Sequence, residues 1–322
     1  MRFFINNFTD PAFNLALEEL LCRDFPEPVV MLWRNRASVI VGKNQNTLAE
    51  VNAAAVTEHK IQVVRRMTGG GAVFHDLGNI NYTFTHHERC PGADSFARFA
   101  HPVVECLNSL GVPAEFSGRN DILIDGRKVS GSAQCCIKNR TLFHGTLLFD
   151  ADMEKLAGFL TPGKIKIESK GIKSVRARVA NLKEFLPGLT VESFMEKLAE
   201  YLEHIAGKAE NVPQEWIDKA EKLANERYRT WEWNFGSRFD CNWENAGRFS
   251  AGTVELKVQI SDSVIKDIRI TGDFFGSANE IEKILNGCTF RRSEIAKVLE
   301  NIDLEQYISG LTKEEFLSLI NF

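Results

Sequence analysis

The sequence predicts an α+β protein: a large mixed β-sheet domain with surrounding helices over residues 1–245, then a small C-terminal α/β domain over residues 246–322. Three observations carry this. The chain has 322 residues, more than one core usually serves. Between residues 29 and 148 short apolar runs recur, punctuated by glycine, asparagine and aspartate, as strands and their turns do. From about residue 247 a strand–strand–helix pattern starts afresh.

"TDPAFNLALEELL" reads as a helix start. Asp10 caps it, Pro11 suits the first turn, and Phe13, Ala16, Leu17, Leu20 and Leu21 line one face. "VVMLWRN" and "SVIVGKN" read as short buried strands, and residues 47–59 as helical. A β meander of "IQVVRR", "AVFH" and "INYTFTH" follows, broken by "TGGG" and "DLGN". A helix over about 95–109 ends at Gly111. The second meander runs "DILI", an Asp125-Gly126 turn, "RKVSGSAQCCI", a "KNR" turn and "LFHGTLLFD"; Asp-Gly between apolar runs is a hairpin signal. Helices over about 191–205 and 213–226 lead into "YRTWEWNFGSRFDCNW", which closes the first domain. The small domain then supplies strands "TVELKVQI" and "VIKDIRI", the segment "GDFFGSANEIEKILNG", and a last helix with a Thr312/Glu315 capping box.

Composition narrows the function classes. A net charge of −4 and a pI near 6.0 argue against a duplex-binding surface. Seven cysteines without a C-x-x-C pair fit neither a disulfide framework nor structural zinc, and suit a reduced, cytoplasmic setting. "MRFFINNFTD" lacks the pattern of a signal peptide. No run approaches the ~20 apolar residues of a membrane span. The expectation is a cytoplasmic protein without nucleic-acid or membrane partners.

Four features bear chemistry. In "RRMTGGGAVFHDLGNINYTF", Arg65 and Arg66 precede Gly69, Gly70 and Gly71. A bare glycine turn can aim backbone N–H groups at an anion, and guanidinium suits phosphate; a hairpin turn or bulge is the ordinary alternative. The spacing matches neither common nucleotide-binding fingerprint. Lys128 follows a tight turn and precedes Ser130, Gly131 and Ser132; it is either a solvated lysine or a point charge for a carboxylate and a phosphate. Asn120 and Asp121 open the same hairpin, as turn formers or as metal-phosphate or amine contacts. "TPGKIKIESKGIKSVRARVAN" carries six Lys or Arg residues against one Glu from Lys164 to Arg178, a local basic excess in an acidic protein. His75 and His144 read as structural. Cys135 and Cys136 read first as packing residues, second as an acyl-accepting thiol.

Taken in order, "RRMTGGGAVFHDLGNINYTF", "GRNDILIDGRKVSGSAQ", "FHGTLLFD" and "KGIKSVRARVANL" resemble the bacterial lipoate–protein ligases, whose catalytic-domain fold octanoyltransferases and biotin ligases share. "DPAFNLALEE" and "VIVGKNQNT" resemble that family's N-terminal blocks and "GDFFG" its small C-terminal domain, so the similarity spans essentially the whole chain. The resemblance implies a two-step reaction. Lipoate and ATP, with Mg²⁺ held through the phosphates and no protein metal ligand assigned, give lipoyl-AMP and pyrophosphate. The lipoyl group then passes to a lysine of an apo lipoyl domain, as in 2-oxoacid dehydrogenase E2 subunits, or of the glycine-cleavage H protein. It also implies that the small domain turns between steps.

By the same resemblance, Arg66 contacts the nucleotide, and Gly71, Ala72, Val73 and Phe74 wrap the lipoyl-adenylate beside Gly69 and Gly70. Lys128 is the catalytic lysine that touches acyl carbonyl and phosphate. Asn79 and Asp121 fall at matching polar positions. Residues 168–181, with Lys170, Gly171, Lys173, Arg176 and Arg178, resemble the adenylate-binding loop. Two rival readings stand beside this one. The first is an ATP-independent octanoyl or lipoyl acyltransferase on the same fold, which Cys135-Cys136 would serve. The second is a non-catalytic protein that binds lipoate or its adenylate.

Overall fold

The computed structural model describes residues 1–89, 93–118, 120–160, 179–236 and 239–320. In chain order its strands are β1 (Arg2–Asn6), β2 (Val29–Trp33), β3 (Ser38–Val41), β4 (Gln62–Arg65), β5 (Val73–His75), β6 (Asn79–His86), β7 (Ala114–Ser117), β8 (Asp121–Ile124), β9 (Arg127–Ile137), β10 (Arg140–Leu148), β11 (Ala209–Glu210), β12 (Trp243–Phe249), β13 (Gly252–Ser261) and β14 (Val264–Gly272).

A mixed eight-stranded sheet, ordered β11-β1-β2-β6-β10-β9-β8-β7, is the scaffold. Strand alternation divides its side chains between two cores. Phe3 and Phe143 join the layer under the Ala93–Ser109 and Val191–Ala206 helices. Phe4 and Met31 face the Pro11–Arg23 and Gln214–Leu223 helices. The first of these starts as its sequence predicts: the Asp10 carboxylate accepts from the Phe13 N–H at 2.9 Å, with Pro11 next.

The second meander folds locally. Asp125 and Gly126 turn β8 into β9 with φ of 51° and 72°, and Lys138 and Asn139 turn β9 into β10 with φ of 48° and 64°. The first meander does not form. β3 lies between β4 and β5, parallel to one and antiparallel to the other, while β6 joins the large sheet. The glycine segment therefore carries the chain across β3 rather than closing a hairpin. The helix expected over 47–59 is likewise two short ones, Thr47–Glu50 and Ala53–Glu58, because Val51 between them bridges to Leu160.

The small domain has a three-stranded antiparallel sheet, β12-β13-β14, and a separate core running from Ala251 to Ile320. Its first strand starts at Trp243, the last residue of the aromatic segment expected to close the first domain, and runs to Phe249 across the expected 245/246 boundary. Thr312 and Glu315 form the expected capping box. The segment after β14 docks on the large domain. Gly272 N–H donates to Asn44 O at 2.8 Å, Asn44 Nδ2 donates to Gly276 O at 3.0 Å, and Gly70 N–H donates to Phe274 O at 3.2 Å. No helix among the described residues is long and apolar enough to cross a membrane.

Candidate active site

A cavity of about 390 Å³ opens where β3, β5, β6, β9 and β10 converge. Leu15, Trp33, Ile40, Val73, Phe74 and Leu148 give it apolar walls. Lys128, Asn79, Asn81, His75, Ser132 and Thr146 give it polar ones. Mostly apolar walls with a few placed polar groups are what a small-molecule site requires.

Three of those polar groups are buried with an atom left over. Asn79 and Asn81 stand two apart on β6, so they share a face, and Asn79 Nδ2 donates to Asn81 Oδ1 at 3.0 Å. Asn79 Oδ1 and Asn81 Nδ2 then have no partner among the described residues. Exchanging O and N in both amides would still leave one donor and one acceptor. His75 Nδ1 accepts from Asn35 Nδ2 at 3.0 Å, which leaves Nε2 unpartnered. Burial, with the nearby Arg66 and His144 charges, pushes the His75 imidazole down to about 3, so it is neutral and Nε2–H is a donor. Native proteins seldom leave such groups unpaired without a function.

Lys128 is placed by a bulge. Ile122 pairs with Ser130 but Leu123 pairs with Lys128, so Val129 is the extra residue and the alternation of β9 slips there. Lys128 and Gly131 then share a face, and a Cβ on Gly131 would lie 2.7 Å from Lys128 Nζ. Glycine at 131 makes room for the ammonium, which pairs with Asp121 Oδ1 at 2.7 Å. Both side chains are about one-third exposed.

The two arginines part company. Arg65 is structural: its guanidinium donates to the carbonyls of Gly42, Lys43, Gln45, Trp233 and Asn234 and to Thr47 Oγ1. Arg66 lines the cavity and braces the glycine segment. Nη2 donates to Gly69 O at 2.6 Å and Gly71 O at 2.9 Å, Nη1 to Ile40 O at 3.2 Å, and Nε to Thr68 Oγ1 at 2.9 Å. Burial pulls both guanidinium groups down to about 10, and both stay charged near neutrality.

The glycines have three separate reasons. A Cβ on Gly69 would strike Phe274 O at 2.3 Å. Gly70 has φ of +88° and lies under the Phe275 ring, a backbone that L side chains avoid. At Gly71 a Cβ would meet nothing within 4 Å, and the residue lines the cavity.

Behind this loop runs a hydrogen-bonded chain that the sequence reading missed. Trp33 Nε1 donates to Thr83 Oγ1 at 2.8 Å, and Thr83 donates to Glu18 Oε1 at 2.5 Å. His144 Nδ1 donates to the Glu18 carboxylate at 3.1 Å, and its Nε2 meets the Thr68 hydroxyl at 2.8 Å, the group that also receives Arg66 Nε. Its signal was a glutamate inside the apolar "NLALEELL" helix; Glu18 is 1% exposed.

Of the residues singled out from sequence, the cavity gathers Arg66, Gly70, Gly71, Ala72, Val73, Phe74, Asn79 and Lys128. Gly69 packs under the small domain and Asp121 holds Lys128. Lys170, Gly171, Lys173, Arg176 and Arg178 lie outside the described residues. The flanking residues Leu160 and Val179 both line the cavity, and Val179 bridges to Lys128. Neither Cys135 nor Cys136 lines it, and burial pushes the Cys135 thiol up, away from the thiolate a nucleophile needs. Among the described residues no three His, Cys, Asp or Glu side chains converge to hold a metal, so they form no protein cage for Mg²⁺.

Fold and cavity together define a two-part enzyme class. Residues 10–203 match the family described as lipoyl protein ligase A/B catalytic domain, and residues 238–320 match the bacterial lipoate protein ligase C-terminus. The chain is 43% identical to lipoate-protein ligase LplJ of Bacillus subtilis, over 98% of each chain. Among solved structures, P. falciparum LipL1 in complex with lipoate aligns with a TM-score of 0.79 at 28% identity, over 98% of this chain and 97% of that one. A bipartite ligase from Thermoplasma acidophilum, studied with its E2 lipoyl domain, aligns over 74% of this chain and 98% of its own (TM-score 0.66, 27% identity). A lipoate-protein ligase A bound with ATP aligns over 73% and 98% (TM-score 0.64, 25% identity). This chain belongs to the lipoate–protein ligase family and is a ligase.

Proposed function

We propose that the chain, with a catalytic unit over 1–245 and an accessory unit over 246–322, is an ATP-dependent lipoate–protein ligase that works through lipoyl-AMP. The observation that carries this reading is the cavity's lining. Apolar side chains that include Trp33, Ile40 and Phe74 suit a lipoyl tail, and the same cavity presents Lys128 and the unpartnered Asn79 and Asn81 atoms. Relatives solved with lipoate and with ATP, and one studied together with its E2 lipoyl domain, support the choice of substrates and of the acceptor class.

In the first step a lipoate carboxylate oxygen attacks the α-phosphorus of ATP and pyrophosphate leaves. Two anions must meet, so fixed positive charge lowers the barrier. Lys128, on the cavity wall and paired with Asp121, is the cation for the reacting groups; Arg66 holds the glycine segment in shape and adds its charge from the cavity wall. Mg²⁺ would enter on the phosphates. The flanking residues Leu160 and Val179 line the cavity, and by the family resemblance Lys170, Gly171, Lys173, Arg176 and Arg178 would bind the adenylate. In the second step the acceptor lysine amine attacks the acyl carbonyl and AMP leaves. Lys128 and the Asn81 amide polarise that carbonyl. The amine must shed a proton from a pKa of about 10.4. His75, at about 3, is too weak a base to take it, so positioning carries much of the rate.

The test is the intact mass of an apo lipoyl domain incubated with the protein, lipoate and Mg²⁺, with and without ATP. An adduct that needs ATP supports the ligase. No adduct from free lipoate in either tube, but ATP-independent transfer from an octanoyl- or lipoyl-carrier protein, supports the acyltransferase. Tight lipoate or adenylate binding with no adduct, on the lipoyl domain or the H protein, supports the binding protein. Lys128→Ala should slow pyrophosphate release by about 10²–10³-fold, the usual cost of losing one charge-stabilising group, and unaltered release would remove Lys128 from the centre.

A further inference from the structure

We propose that Phe275, a residue of the small domain, gauges the length of acyl chain that the cavity accepts; this rests on the acyl-activating reading above. Phe275 follows the small domain's last strand, yet its ring sits in the large domain's core, 5.5 Å from the Phe96 ring, and is only 5% exposed. It lines the same cavity as residues of β9 and β10. A Cβ on Gly70 would lie 3.0 Å from Phe275 Cε1, so the ring rests directly on the glycine segment.

The wall is rigid as well as apolar. Phe274 O accepts from Gly70 N–H, Ser309 N–H donates to Phe275 O at 3.0 Å, and Asn44 is bonded to both flanks, Gly272 and Gly276. Asp273, also at the cavity, pairs with Arg248 at 3.1 Å and accepts from Thr253 N–H at 2.5 Å. While the small domain is docked, this apolar wall sets how many methylenes find cover, and each buried methylene is worth about fourfold in affinity. One domain thus supplies the reacting groups while the other sets the limit of the slot.

The experiment measures acid-dependent pyrophosphate release by the full chain with octanoate and with dodecanoate, and takes the ratio of kcat/KM. Phe275→Leu and Phe275→Ala should raise the dodecanoate-to-octanoate ratio about tenfold, and Phe275→Trp should lower it. A role confined to packing would scale both substrates together. Ratios within twofold of the parent in the Leu and Trp variants would overturn the gauge; these two keep the ring site filled should the Ala variant fail to fold. No release with any acid by the unaltered protein would instead sink the functional reading itself.

Discussion

His75 is neutral where a histidine in water would be half charged near pH 6.5. Its ring is packed between Asn35 and the cavity, and desolvation, then the Arg66 and His144 charges, hold its value at about 3. Unfolding releases the ring to its ordinary value. Between about pH 3 and 6.5 the unfolded chain therefore binds a proton that the folded one does not. This contribution is fully present above about pH 6.5 and is lost as the pH falls toward 3, at up to about 1.4 kcal/mol per pH unit. His75→Gln keeps an acceptor for Asn35 and cannot titrate. Urea unfolding at pH 7.5 and 5.0 should show the parent losing more stability on acidification than the variant, by about 1–2 kcal/mol. Equal losses would mean that the imidazole is already charged in the fold, and Nε2 would need an acceptor that it lacks.

The glycine segment separates two kinds of constraint that one sequence motif conceals. Gly69 is small because Phe274 O approaches it. Gly69→Ala should therefore strain the contact between the domains, with a loss of about 1–3 kcal/mol in unfolding free energy, as overpacking costs. Gly71 has open space and no positive φ. Gly71→Ala should leave the melting temperature nearly unchanged and narrow the ligand's space, so lipoate KM rises while stability does not. Melting curves and KM values together read the split; equal destabilisation by both would refute it. The same segment marks the limit of what is legible in sequence. Asp125-Gly126 announces its hairpin because the turn is local. The order β4-β3-β5 and the break at Val51 depend on partners elsewhere in the chain, and periodicity carries no record of them. Arg66 and Lys128 stand out by residue type. Phe275 stands out only as part of the "GDFFG" resemblance, His144 reads as structural and Glu18 carries no reading, so only their meeting in space, at the cavity or behind it, reveals them.

The large and small domains are built on separate cores, and the strip joining them passes over the cavity. That strip is narrow: the Asn44 side chain bonds Gly276 O at 3.0 Å and Phe274 O at 3.4 Å, backed by the Gly272–Asn44 and Gly70–Phe274 backbone bonds and the Phe275 ring. Removing the Asn44 amide leaves each core intact and weakens only the join, by about 1–2 kcal/mol for bonds of this kind. The Gly70 amide is a built-in reporter, since its acceptor belongs to the small domain. In Asn44→Ala, hydrogen exchange at Gly70 should quicken about tenfold, while amides paired between β9 and β10 keep their protection. Such a pattern would mean that the small domain lifts as a unit and that the glycine segment's N–H is free for a ligand only in the lifted state. A uniform rise across both sites would show instead that the two cores open together, and the small domain would then act as a fixed wall rather than a moving one.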